Sequence, residues 1–119
     1  MLAALGNVRV WLCTSATDMR KSYKGLSAMV KRDLGDNPLS GELFVFVNRK
    51  QTQMKILYFD GDGYALWCKR LEQGQFVMPE ANVIKKPLSY GELQCLLYGI
   101  EWQNARRYKR FSLPQRPTV

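Results

Sequence analysis

Five consecutive apolar residues, Leu43–Val47, give the strongest indication of the fold. The run is too short for a helix and has the length of a strand at the centre of a sheet. Two further strands are predicted at 54–60 and 64–70, and the turn Asp60-Gly61-Asp62-Gly63 between them offers two glycines for the positive φ angles of a tight hairpin. Strands joined by such short connections form an antiparallel meander. The centre of the protein is therefore predicted to be an antiparallel sheet.

Segments outside the meander predict additional strands. Val8–Cys13 alternates with period two, which favours a strand before the first helix. A turn at 72–75 precedes the apolar residues Phe76-Val77-Met78, and Val83-Ile84 could form a short edge strand. The sheet is therefore expected to have about four to five strands.

Two helices are predicted from apolar residues that recur every three or four positions. The first begins after a predicted N-cap at Thr17 and stops at Gly35, about four turns in all. The second begins with Ser89 and Glu92, which have the spacing of a capping box. Its apolar stripe consists of Leu93, Leu96, Leu97 and Ile100. These elements predict one α+β domain over residues 1–102, an antiparallel meander sheet packed with two helices.

The charge balance favours a polyanionic partner. Eighteen Lys and Arg face ten Asp and Glu, which gives a formal net charge of +8. This excess favours nucleic acid first and an acidic membrane surface second. Residues 103–119 hold five of the basic residues and no acidic one, so we expect a basic, disordered tail after the domain.

Basic residues in four places are candidates for contact with nucleic acid. The tail run Arg-Arg-Tyr-Lys-Arg-Phe combines cations that can contact phosphate with rings that can stack on bases. Other pairs occur at the start of the first helix, at a predicted loop tip and at the end of the third meander strand. The candidates are Arg20, Lys21, Arg49, Lys50, Lys69, Arg70, Arg106, Arg107, Lys109 and Arg110. The alternative for each group is an ordinary solvated surface or terminus.

Catalytic and metal sites find little support in the sequence. The chain has no histidine, so a Ser-His or Cys-His nucleophile cannot be built. Cys13, Cys68 and Cys95 form no CxxC pair and are expected to be free, largely buried thiols. The turn at 60–63 resembles the start of a calcium loop, but Leu71 stands where the bidentate Glu should be. We therefore assign no catalytic residue, metal, cofactor or small-molecule substrate, and expect a protein that is not an enzyme.

No membrane partner is expected either. The first six residues lack the basic start and long apolar stretch of a signal peptide, and no apolar run approaches the ~20 residues that cross a bilayer. A cytoplasmic protein is predicted.

Five segments resemble the motifs of a known family. They are residues 17–26, 38–46, 55–67, 69–72 and 96–100, which include Asp-Met-Arg-Lys-Ser-Tyr-Lys-Gly-Leu and Leu-Tyr-Phe-Asp-Gly-Asp-Gly-Tyr-Ala-Leu-Trp. In this order they resemble the small accessory protein of the IS-sixty-six family of bacterial insertion sequences, the TnpB-type product of the second open reading frame, which is unrelated to the RNA-guided nuclease of that name. The resemblance runs from about Val8 to Trp102. It implies participation in DNA transposition beside a separate, larger transposase that carries the catalytic acidic residues.

One turn departs from the family pattern. The family often shows Leu-Glu-Arg-Gly-Arg-Phe where this chain has Leu71-Glu72-Gln73-Gly74-Gln75-Phe76. Two cations are therefore missing from a turn that could otherwise contact phosphate.

The sequence is compatible with three functions. The leading hypothesis is a non-catalytic accessory protein that binds DNA, at the element ends or non-specifically, alongside the transposase. The alternative is an interaction module that assembles or regulates the transposase without touching DNA. Its aromatic anchor would come from Trp11, Tyr23, Tyr64, Trp67 or Trp102. A metal-dependent nuclease comes third, with carboxylates such as Asp18, Asp60, Asp62 and Glu72.

Overall fold

Residues 7–99, the part of the chain that the computed structural model describes, form five strands and two helices. In chain order the elements are β1 (Val10–Cys13), α1 (Tyr23–Arg32), β2 (Leu43–Val47), β3 (Gln53–Phe59), β4 (Tyr64–Arg70), β5 (Lys85–Leu88) and α2 (Tyr90–Tyr98). The strands form one sheet in the order β4-β3-β2-β1-β5. The α+β prediction is confirmed. Within residues 7–99 no helix has the length and apolar character needed to cross a membrane.

The sheet is mixed, whereas an antiparallel sheet was expected. The β2-β3-β4 meander is confirmed, because β3 pairs antiparallel with both of its neighbours. β1, however, pairs parallel with β2, and β5 pairs antiparallel with β1. The parallel pair arises because α1 connects β1 to β2 and returns the chain to the end of the sheet where β1 began.

The central strand β2 is buried on both sides, which explains its unbroken apolar sequence. Leu43, Val45 and Val47 face the core under α2, whereas Phe44 and Phe46 face the core under α1. All five side chains are at most 2% exposed. Burial of each such side chain contributes about 1.5–3 kcal/mol relative to leaving it in water. The protein therefore has three layers, with the sheet between the two helices.

The first helix is shorter than predicted. It begins at Tyr23 after Ser22, which makes no side-chain cap, and Thr17 is not its N-cap. The Thr17 N–H instead donates to the Val47 carbonyl at 2.9 Å, and the Thr17 side chain is 4% exposed. This long-range bond holds the residues before Tyr23 against the sheet, so they cannot continue the helix. The helix ends at Arg32, and Gly35 follows with a φ of 67°.

The second helix confirms the capping box. The Glu92 N–H donates to Ser89 Oγ at 3.0 Å, and the Ser89 N–H donates to Glu92 Oε1 at 2.8 Å. The helix ends at Gly99, which adopts the left-handed conformation. Residue 100, the last of the predicted stripe, lies outside the described residues, as does the predicted tail.

Three smaller predictions need correction. The segment 76–78 is not a strand, although Phe76 is fully buried in the core under α2. The edge strand spans 85–88 rather than 83–84, and it accommodates Pro87 because an edge strand can spare one donor. In the β3–β4 turn Gly61 has a φ of 72°, whereas Gly63 is not among the glycines with a positive φ.

Candidate nucleic-acid interface

The topology brings several distant parts of the chain to one end of the sheet. The parallel strands β1 and β2 both end there, and β4 ends there as well. β3 and β5 begin at the same end, because Val47 pairs with Met54 and Cys13 pairs with Lys85. The segments that follow β1, β2 and β4 therefore leave the sheet at the same end.

Four of the predicted basic residues lie on these segments. Arg20 follows β1, Arg49 and Lys50 follow β2, and Arg70 is the last residue of β4. All four are exposed. We call this group the cationic end. Within residues 7–99 the side chains of Arg49, Lys50 and Arg70 form no ion pair, so their charges face solvent uncompensated.

Lys21 and Lys69 are oriented differently. Lys21 is half-buried and packs along α1, where its Cβ and Cγ lie 3.2 Å from the position that a Cβ on Gly25 would occupy. Lys69 points to the α2 side of the sheet, with its Nζ 3.3 Å from the Leu97 carbonyl oxygen and 5.5 Å from the Tyr98 ring centre. Neighbouring residues of a strand point to opposite faces, so Lys69 and Arg70 could not share one. Arg106, Arg107, Lys109 and Arg110 lie outside the described residues.

Asn48 fixes the loop that carries Arg49 and Lys50. Its Oδ1 accepts hydrogen bonds from the N–H groups of Thr52 and Gln53 at 2.8 and 3.0 Å, and its Nδ2 lies 3.1 Å from Thr52 Oγ1. The Asn48 carbonyl accepts a further bond from the Gln51 N–H at 3.0 Å. The two cations are therefore held on a rigid turn, which lowers the entropy lost when they meet a ligand.

Lys55 fixes the segment that carries Arg20. Its side chain rises from β3 on the α1 side, and its Nζ donates to the carbonyls of Met19 and Lys21 at 2.8 and 2.7 Å. The Thr17 N–H bond to Val47 holds the same segment from the other side. Sequence reasoning missed this role, although a lysine inside an apolar strand signals that its ammonium needs a polar partner. The Lys55 charge is occupied with the protein's own backbone.

Asp18 offsets the charge of Arg20. Arg20 Nε lies 3.1 and 3.0 Å from the two Asp18 oxygens, and Nη2 lies 2.7 Å from Oδ2. These hydrogen bonds lower the pKa of Asp18 from 3.8 to about 2. The guanidinium of Arg20 remains accessible, because its side chain is 92% exposed. A guanidinium has five N–H donors, so Arg20 can still contact a phosphate.

Acidic residues mark the opposite end of the sheet. Glu42 precedes β2, and its Oε2 lies 3.9 Å from Arg9 Nε. Asp60 and Asp62 occupy the β3–β4 turn. The Asp62 N–H donates to the Asp60 carbonyl at 2.7 Å, so this turn is closed by its own backbone. The exposed cations without an ion pair in residues 7–99 are therefore Arg49, Lys50 and Arg70 at the cationic end, and Lys24 and Lys31 on α1.

The other predicted groups are dispersed. No three Cys, Asp or Glu side chains between residues 7 and 99 are close enough together to hold a metal ion. Cys13, Cys68 and Cys95 are free thiols, as predicted, but Cys68 is exposed and Cys95 half-buried, so the expectation of largely buried thiols is wrong for Cys68.

Comparison with known proteins identifies relatives along most of the chain. The model of a family described as "IS66 Orf2 like protein" matches residues 8–107. The uncharacterised protein y4hO of Sinorhizobium fredii is 42% identical over 104 residues, which cover 87% of this chain and 90% of the relative. The uncharacterised protein y4jC of the same organism is 30% identical over 107 residues, which cover 90% and 92%. No solved structure matches the chain.

Proposed function

The chain belongs to the family of IS66 Orf2 like proteins and is a transposition-associated accessory protein, and from this premise we propose that it binds DNA without cutting it. The binding surface in this proposal is the cationic end. The DNA would be the ends of the mobile element or DNA bound non-specifically, and the protein partner would be the transposase of the same element.

One observation carries the proposal. Arg20, Arg49 with Lys50, and Arg70 come from three separate segments, and the fold places them at one end of the sheet. Hydrogen bonds of Asn48 and Lys55 also hold two of these segments rigid, the loop after β2 and the segment around Arg20. A rigid cluster of cations suits phosphate contacts, which position a protein on DNA.

Salt dependence tests the proposal directly. Four phosphate contacts predict that the logarithm of the association constant falls with the logarithm of salt concentration with a slope of roughly −3 to −4. Fluorescence anisotropy with a labelled duplex from the element end, and with a scrambled duplex, measures this slope. Absence of binding to both duplexes at low salt would refute the proposal.

A pair of double variants locates the contact. Arg49→Gln with Lys50→Gln should reduce the slope by roughly 2 and weaken binding about ten-fold or more. The matched control is Arg9→Gln with Lys31→Gln, which removes the same charge from exposed residues near the acidic end and at the far end of α1. Equal losses in both double variants would show that only net charge matters.

A second candidate function is contact with an acidic segment of the transposase. A groove of about 670 Å³ lies between α1 and residues 36–39, and its lining includes the apolar Leu39, the aromatic Tyr64 and the basic residues Lys24 and Lys31. Leu39 is 55% exposed, so its side chain is accessible to a partner. Leu39→Glu should abolish co-purification with the transposase and leave DNA affinity unchanged, because it lies away from the cationic end. Retained co-purification would exclude the groove.

A further inference from the structure

A cleft of about 440 Å³ borders the cationic end and has a different chemistry. Its lining includes the carboxamides Gln51, Gln73 and Gln75 and the apolar residues Phe76, Val77 and Met78. None of the lining residues is charged. The volume is within the range of roughly 300–1,000 Å³ that small-molecule sites occupy.

Hydrogen bonds join this cleft to the loop that carries Arg49 and Lys50. The Phe76 N–H donates to the Gln51 carbonyl at 2.7 Å, and Gln75 Nε2 donates to the Lys50 carbonyl at 2.8 Å. The Leu71 N–H donates to the Thr52 carbonyl at 2.8 Å, which keeps the residue after Arg70 against the same loop. The neutral cleft and the exposed cations of the loop thus form one rigid unit.

The backbone of Gln51 is unusual. Its φ is 60°, and Gln51 is the one non-glycine residue with a positive φ in the part of the chain that the structure describes. Hydrogen bonds at its N–H to Asn48 and at its carbonyl from Phe76 impose this conformation. Residues whose backbone is held in a sparsely populated conformation are concentrated at active sites and ligand sites. The conformation places Gln51 in the lining of the cleft, next in sequence to Lys50.

The neutral cleft and the neighbouring cations match the two chemically different parts of a nucleotide, its base and its phosphates. A base is a neutral, flat ring with hydrogen-bond donors and acceptors on its edge, and a carboxamide offers one acceptor and two donor hydrogens. Val77 and Met78, which are half-buried, can cover the face of the ring. The phosphates on either side of that base are anionic and suit Arg49 and Lys50 on the adjoining loop.

We propose that this cleft binds an unpaired nucleobase while the neighbouring cations hold its flanking phosphates. The inference rests on the proposed DNA binding and deepens it. Bases inside a duplex are stacked and paired, so the cleft can receive only a base from a single strand or one turned out of the helix. The protein should therefore prefer DNA that contains a single-stranded segment.

Anisotropy measurements on two DNAs of the same sequence test this preference. One is a blunt duplex and the other carries a short single-stranded overhang. The wild-type protein should bind the overhang DNA about ten-fold more tightly, which is the effect expected for one base contact. Gln51→Gly with Gln73→Ala should remove most of this preference and leave the affinity for blunt duplex unchanged.

The variants are chosen so that folding does not obscure the result. Glycine favours the φ of 60° at position 51, so Gln51→Gly relieves strain instead of adding it. Gln73 is exposed. Gln94→Ala, at an exposed position on α2, is the matched control and should keep the full preference.

The outcomes separate this inference from the function on which it rests. Equal binding of blunt and overhang DNA by the wild type would refute the base site and leave DNA binding intact. A preference that persists in the Gln51→Gly and Gln73→Ala variant would show that the cleft is not the site, which also refutes the inference. Absence of binding to either DNA at low salt would refute both proposals.

Discussion

Replacement of Lys55 by methionine should destabilise the protein much more than the same replacement at Lys50. Both residues are lysines near the cationic end, and methionine keeps most of the apolar stem. The Lys55 ammonium donates to the carbonyls of Met19 and Lys21, whereas Lys50 is exposed at a loop tip. The comparison therefore isolates the two bonds made by a half-buried ammonium.

The magnitude follows from those bonds. A hydrogen bond to a charged group contributes about 1.5–3 kcal/mol net, and water replaces part of it at a half-buried site. Loss of both should lower the free energy of unfolding by about 2–3 kcal/mol. For a domain of about 100 residues this corresponds to a fall in Tm of about 10–20 °C. Lys50→Met should change the free energy of unfolding by less than about 0.5 kcal/mol.

Thermal and urea unfolding, followed by circular dichroism, provide the measurement. DNA binding should show the opposite order of effects. Lys50→Met, which barely changes stability, should reduce the salt slope by about 1. Lys55→Met should keep the slope at a temperature where it is folded, since its ammonium faces the backbone. Lys55→Arg should recover part of the stability, because a guanidinium can also donate to two carbonyls. Equal stabilities of Lys55→Met and Lys50→Met would refute the reasoning.

Three further predictions concern the same end of the sheet. Asp18→Asn should remove the negative charge beside Arg20 and tighten DNA binding at low salt, whereas Asp62→Asn, at the far end, should have a smaller effect; equal effects would contradict the pairing. The Asp18 carboxyl should titrate near its pKa of about 2 by NMR and return toward 3.8 in Arg20→Gln. Because folding lowers this pKa, the stabilising effect of the pair is complete above pH 3.8 and is lost as the pH falls through about 2. Asn48→Ala should weaken DNA binding without any change of charge, because the loop bonds that hold Arg49 and Lys50 are lost. Asn37→Ala, which removes one loop bond to the Leu39 N–H, is its control and should leave DNA affinity unchanged.

Local sequence patterns predicted those elements whose position is determined by neighbouring residues in the chain. The apolar run at 43–47 specified β2 because both of its faces are covered, and the Ser89–Glu92 pair specified the start of α2 because a capping box lies within four residues. The start of α1 could not be read in this way. Threonine is a common N-cap residue, but the Thr17 N–H donates to the carbonyl of Val47, which is thirty positions away in the sequence. The parallel pairing of β1 with β2 likewise depends on the path of α1 over the sheet.

The candidate site likewise combines features that local sequence predicts with features that depend on the fold. The sequence identified the basic residues but not which of them meet, since that depends on strand order. The separation of Lys69 from Arg70 was accessible from the alternation of a strand, and the use of Lys55 from its place among apolar neighbours. The compensation of Arg20 by Asp18 needed side-chain geometry. The predicted tail contacts remain predictions.

The assembly of the cationic end from segments after β1, β2 and β4 links ligand binding to folding. A growing chain presents the complete set of cations only after Arg70 has been synthesised and β4 has paired with β3. Any ligand that requires all three segments binds the native state and not the unfolded chain, so it must raise the midpoint of thermal unfolding by an amount that grows with the logarithm of its concentration relative to its Kd. Peptides that carry any one of these segments alone should bind far more weakly, because the sheet supplies the spacing that the separate peptides lack.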